Sequence, residues 1–165
     1  MDCYKIMLLG DTKRGKTTFS KYILVGELCD TCTTLGVEVH GLYIEHNGKE
    51  VCINMWDTGG DERFKGLDDK YYVKADGAII FYSNEDEKNK YIRKFKNVVP
   101  DGKIVLVHSY VGENKPDLPK EKEYLRCVLN MENENINESG MFHPIALMLT
   151  QMTPAVHHNK FNSHL

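Results

Sequence analysis

A chain of 165 residues and 19.0 kDa suffices for one domain with a real core and is cramped for two. Its 41% hydrophobic and 27% charged residues argue against wholesale disorder and against a membrane protein. The net charge of -3 comes from 21 basic and 24 acidic residues that are mixed rather than blocked, which leaves no basic footprint for nucleic acid.

The first element expected is a strand over the apolar run Tyr4 to Leu9. It leads into Gly10-Asp11-Thr12-Lys13-Arg14-Gly15-Lys16-Thr17, the phosphate-binding pattern G-x-x-x-x-G-K-[ST] in its required setting of strand, loop and helix. Glycines let the backbone wind so that successive amides point inward, and the following helix start favours an anion. Lys16 supplies a point charge for β- and γ-phosphates, and the Thr17 hydroxyl a hard oxygen for Mg²⁺. Asp11, Thr12, Lys13, Arg14, Gly15 and Thr18 complete the phosphate-binding set.

Phe19, Tyr22, Ile23 and Gly26 recur at helical spacing, so a first helix runs from Thr18 to Gly26. Glu27 to Thr34 is polar and aperiodic, a loop; Cys29-Asp30-Thr31-Cys32 within it has metal or redox spacing but no second cysteine pair to complete a site. Two alternating runs, Leu35 to Glu45 and Lys49 to Trp56, flank Asn47-Gly48 and predict an antiparallel hairpin. Trp56-Asp57-Thr58-Gly59-Gly60 closes it, with Asp57 at a strand's carboxyl end where side chains meet ligands.

Phe64, Leu67, Tyr71 and Tyr72 suggest a short helix, and Gly77 to Tyr82 a strand covered on both faces. Tyr91, Ile92, Phe95 and Val98 mark another helix, and Pro100-Asp101-Gly102 turns the chain into a strand over Ile104 to Val107. Leu125 to Leu129 offers a sixth strand, and Pro144, read as a first-turn residue, opens a last helix. We expect an α/β domain over residues 1–152, with about six mostly parallel strands, one antiparallel edge strand and helices on both faces. Residues 153–165 form a polar tail whose His157 and His158 read as solvated. Five cysteines, an odd number, suit a reducing compartment, cytoplasmic or nuclear, and neither leader nor lipid-anchor pattern is expected.

These residues resemble the Ras superfamily of small GTPases, and within it the Ran branch. Thr34-Leu35-Gly36-Val37-Glu38-Val39-His40 is similar to the first switch of that branch, and Trp56-Asp57-Thr58-Gly59-Gly60 with Gly66-Leu67 and Tyr71-Tyr72 to its second. The resemblance is specific over residues 3 to about 82 and holds only at the level of fold beyond. It implies a three-layer P-loop NTPase fold, GTP or GDP with Mg²⁺, Thr34 on the γ-phosphate and Mg²⁺, Asp57 holding Mg²⁺ through water, and a Gly60 amide on the γ-phosphate. Contacts of this kind hold two loops only while the γ-phosphate is present. It also implies a monomer that meets transport receptors or Ran-type regulators through Val37, Glu38, Glu62, Arg63 and Phe64.

The chain departs from that pattern at the water-positioning residues. Asp61 stands where the family has glutamine; a carboxylate about 5 Å from a phosphate charge is opposed by roughly 3 kcal/mol at an effective dielectric of 20. Thr12 replaces a glycine and crowds the same water. Asp61 and Thr12 are thus the positions expected to set the rate, Arg14 is a candidate transition-state charge or one of a solvated basic pair with Lys13, and a hydrolysis-deficient interaction module is the alternative reading. For the base, Asn114-Lys115-Pro116-Asp117 matches N-K-x-D in letters but falls five residues late if Ile104 to Val107 is the whole fifth strand; a longer strand or a looped insertion through Val111 would restore it as the guanine reader. Met131-Glu132-Asn133 lies near the expected S-A-K and shares none of it, and the span from Asp117 to Leu125 is too short for a usual fourth helix.

Overall fold

A computed structural model describes residues 1–25, 36–59, 68–118, 123–131 and 138–152. Its elements in chain order are β1 (Asp2–Leu9), α1 (Lys16–Val25), β2 (Val37–His46), β3 (Lys49–Thr58), α2 (Asp68–Tyr72), β4 (Gly77–Tyr82), α3 (Glu85–Val98), β5 (Lys103–Tyr110), β6 (Leu125–Asn130) and α4 (Glu138–Met152). One sheet of order β2-β3-β1-β4-β5-β6 contains all six strands, parallel except for the β2–β3 pair. The α/β class, the antiparallel edge and the expected hairpin are all present. Asn47 and Gly48 both take positive φ, 52° and 72°, as the tight hairpin turn demands.

Period-two alternation in β1 divides the core. Ile6 and Leu8 face a layer made with Phe19, Tyr22 and Ile23 of α1 and Met141, Ile145, Met148 and Leu149 of α4. Met7 and Leu9 face the opposite layer, with Tyr72 of α2 and Tyr91 and Phe95 of α3. Burial on both faces explains why β1, β4 and β5 read as continuous apolar runs. The parallel pairing places the carboxyl ends of β1, β3, β4, β5 and β6 along one rim, where the phosphate loop sits.

Several boundaries differ from the expectations, and three of them shape the site or its support. β5 extends through Tyr110 because His108, Ser109 and Tyr110 stay in register with Val128, Leu129 and Asn130 of β6. β3 likewise runs on to Thr58, whose hydroxyl donates to the Leu8 carbonyl at 2.8 Å. α4 begins at Glu138, so Pro144 is an interior residue. An interior proline costs a helix about 3 kcal/mol, and the buried stripe Met141, Ile145, Met148 and Leu149 holds the helix across it. The tail 153–165 lies outside the described residues, as do Cys29 and Cys32.

Candidate functional site

The site begins where β1 ends. Gly10 has φ 149°, and a Cβ there would stand 2.3 Å from the Phe81 carbonyl oxygen, so only glycine lets the loop leave the sheet. Lys13 at φ 62° and Gly15 at φ 95° then turn the backbone inward over the start of α1, whose first turn closes with Phe19 N–H donating to the Gly15 carbonyl at 2.8 Å. The ten-residue helix α1 adds its amino-terminal dipole to that cradle.

Lys16 is 5% exposed, and its ammonium donates to the carbonyls of Gly10 at 2.7 Å and Asp11 at 2.9 Å. Burial pulls its pKa down to about 8, against the favourable charges of Asp57 and Asp11. The cation is thus held inside the loop by carbonyls that an anionic phosphate can replace. Beside it the Thr17 hydroxyl donates to Asp57 Oδ2 at 2.6 Å. Asp57 is fully buried at the end of β3; burial raises its pKa, while the Thr17 hydrogen bond and the Lys16 charge oppose the rise. Its Oδ1 has no hydrogen-bond partner among the described residues. A buried carboxylate oxygen left over next to a threonine hydroxyl suits a hard divalent cation with its water shell, so Thr17 and Asp57 fit Mg²⁺.

The charged side chains of the loop point elsewhere. Arg14 grips Glu87 in a two-pronged contact, Nε to Oε2 at 2.9 Å and Nη2 to Oε1 at 2.7 Å, which raises the Arg14 pKa and, with the Ser83 amide, lowers that of Glu87. The guanidinium is thus paired with Glu87 while 30% of the Arg14 side chain stays exposed, and Lys13 is exposed. Asp11 Oδ1 accepts from Lys90 Nζ and from the Tyr91 hydroxyl, both at 2.8 Å. Burial pushes the Asp11 carboxyl up, yet those two hydrogen bonds hold it below its ordinary value. Sequence reasoning missed Glu87, Lys90 and Tyr91. One signal was present: Asn84-x-x-Glu87 is a capping pattern, and Asn84 Oδ1 does accept from the Glu87 amide at 3.0 Å. It marks the start of α3 but not the arginine that Glu87 meets.

Of the remaining predicted residues, Thr12 and Thr18 are half-buried on the loop and the first turn of α1. Val37 is half-buried and Glu38 exposed on β2. Thr34, Gly60, Asp61, Glu62, Arg63 and Phe64 lie outside the described residues. The roots of the two switch-like segments do meet, since Gly59 N–H donates to the Gly36 carbonyl at 2.7 Å.

On the base side, Met131 follows β6 and packs on the loop: a Cβ added to Gly15 would lie 2.7 Å from its sulfur. The chain after β6 thus reaches the phosphate loop with a thioether where the resemblance implies S-A-K. Lys115 and Asp117 follow β5, which runs on to Tyr110. They border a cavity of about 540 Å³ whose other walls are Pro116, Leu118, Arg126, Cys127, Val128 and His143, with no residue of the phosphate loop among them. The family described as Ras of Complex, Roc, domain of DAPkinase matches residues 5–113, more than half of the chain, and Asn114 is the first residue beyond that span.

Proposed function

The chain belongs to the Roc family of Ras-like GTPase domains, and on that premise we propose a slowly hydrolysing switch that binds GTP or GDP with Mg²⁺ at residues 10–18. GTP binding is the family's property; the slow rate, the metal ligands and the partners are our reading. The observation that carries it is the buried Lys16 ammonium on the carbonyls of Gly10 and Asp11, next to the Thr17–Asp57 pair. Mg²⁺ would supply the positive charge that neutralises the phosphates. Thr17 and Asp57 would hold it, with Thr34 added on the strength of the resemblance.

Slow turnover rests on Thr12 and Asp61. Thr12 sits half-buried on the loop, and Asp61 lacks the amide with which a glutamine orients water. Partner contacts through Val37, Glu38 and the segment Glu62 to Phe64, and with them a Ran-like choice of transport-type effectors in a reducing compartment, are supported by sequence similarity in the switch segments. Mass spectrometry of nucleotide released from freshly purified protein tests the reading: guanine nucleotide at near one equivalent supports it, and adenine nucleotide or none overturns it.

A further inference from the structure

Glu38 stands directly opposite Asp57 in the antiparallel β2–β3 ladder, and His40 lies two residues along on the same face. Further along that face, Leu42 and Ile44 pack on the α1 layer, so the strand's inner side changes from apolar to ligand-bearing as it reaches the phosphate-loop rim. The metal-ligating atoms of Glu38, His40 and Asp57 all fall within 4.8 Å of one another. His40 Nε2 is 3.4 Å from Glu38 Oε2. Ligand atoms 2.0–2.2 Å from a tetrahedral cation stand about 3.4 Å apart, so this edge already has the spacing of a coordinated pair. Among the described residues, both His40 Nε2 and Asp57 Oδ1 are buried atoms with no hydrogen-bond partner, and Asp57 itself is fully buried. Two carboxylates facing each other across a ladder repel unless a cation sits between them.

We propose that Glu38, His40 and Asp57 form a site for a borderline transition-metal cation of the Zn²⁺ class, distinct from the hard-oxygen Mg²⁺ site but sharing Asp57 with it. Imidazole is a poor ligand for Mg²⁺ and a good one for Zn²⁺ or Co²⁺, and the site's fourth position stays open to water. Since one carboxylate serves both cations, the transition metal and Mg²⁺·nucleotide exclude each other. Glu38, 52% exposed at its side chain, supplies the movement that closes the third ligand.

The test is a titration of nucleotide-free protein with Co²⁺, read by its visible absorption, and with Zn²⁺, read by calorimetry, for wild type, Glu38→Gln and His40→Ala. We expect a four-coordinate Co²⁺ spectrum in wild type, a loss of about tenfold or more in affinity for either variant, and release of the metal by excess Mg²⁺·GDP. Unchanged Mg²⁺·GDP affinity in His40→Ala would show the two sites to be separate and the variant folded. Metal affinity within twofold of wild type in both variants, or no displacement by Mg²⁺·GDP in protein that binds that nucleotide, overturns the proposal and assigns any binding to the chain's cysteines or other histidines. If fresh protein proves to lack guanine nucleotide, the Co²⁺ spectrum and its loss in His40→Ala still decide this site by themselves.

Discussion

Arg14 of the phosphate loop and Glu87 of the first turn of α3 are joined by two parallel hydrogen bonds of 2.9 and 2.7 Å. With Asp11 held by Lys90 and Tyr91, the loop is fixed to α3 at two of its charged side chains. Fixing a loop before its ligand arrives lowers the entropy that binding must overcome.

The pair should therefore couple in both stability and binding. In a double-mutant cycle of Arg14→Ala and Glu87→Gln, followed by urea unfolding, we expect a coupling of about 1–2 kcal/mol, because Glu87 is largely buried and the contact is two-pronged. Each single variant should also weaken GDP binding. Additive effects within about 0.3 kcal/mol would reduce the contact to an ordinary surface pair.

Affinity for nucleotide should fall as pH rises through about 8, the pKa to which burial brings Lys16. Phosphate holds the proton on the bound lysine, so binding is fully favoured below that pKa and takes up a proton above it. The free fold should follow the opposite trend. The unfolded lysine keeps its proton to about 10.5, so the cost of the buried ammonium is fully present below pH 8 and is relieved as pH rises from 8 to 10.5, by up to about 3 kcal/mol. Calorimetry of GDP binding at pH 9 in two buffers of different ionisation heat should reveal proton uptake. Its absence would mean that Lys16 does not titrate at the phosphate.

Asp117 should contribute little to choosing the base, since it borders the cavity by Arg126 and His143. We expect Asp117→Asn to change GDP affinity less than about threefold, where loss of a charged fork to guanine would cost 1.5–3 kcal/mol, or more than tenfold. A hundredfold loss would place that carboxylate on guanine after all.

Hydrolysis should be no faster than the unassisted rate of the superfamily, about 10⁻⁴ per second, and respond little to an activating arginine. Single-turnover phosphate release from wild type, Asp61→Gln and Thr12→Gly/Asp61→Gln measures this. Acceleration in the variants is expected; wild-type turnover at assisted rates would instead make Asp61 a general base.

How far the sequence reveals this protein depends on how local each cause is. The phosphate loop, the Asn47-Gly48 hairpin and the two-sided strands β4 and β5 are legible because glycine, turn and periodicity rules act within a few residues. The end of β5 was not, since His108 to Tyr110 is polar enough to read as loop and becomes strand by pairing with β6, and at His108 with β4 as well. Pro144 misled for a similar reason: its local preference for a helix start is overridden by a buried stripe that extends to both sides. Within the site, Lys16, Thr17 and Asp57 follow from the motif. Arg14 with Glu87, and His40 with Asp57, join residues far apart in the chain, and nothing local in the sequence specifies such pairs.

The central claim, that the Lys16 cradle binds guanine nucleotide, is tested most directly by titrating nucleotide-free wild type and Lys16→Ala with Mg²⁺·GDP in the calorimeter. We expect wild type to bind at micromolar Kd or tighter, near −8 kcal/mol or beyond, and Lys16→Ala to lose about a hundredfold or more, with circular dichroism unchanged. Equal affinity in the two proteins would contradict the assignment of residues 10–18 as the phosphate site.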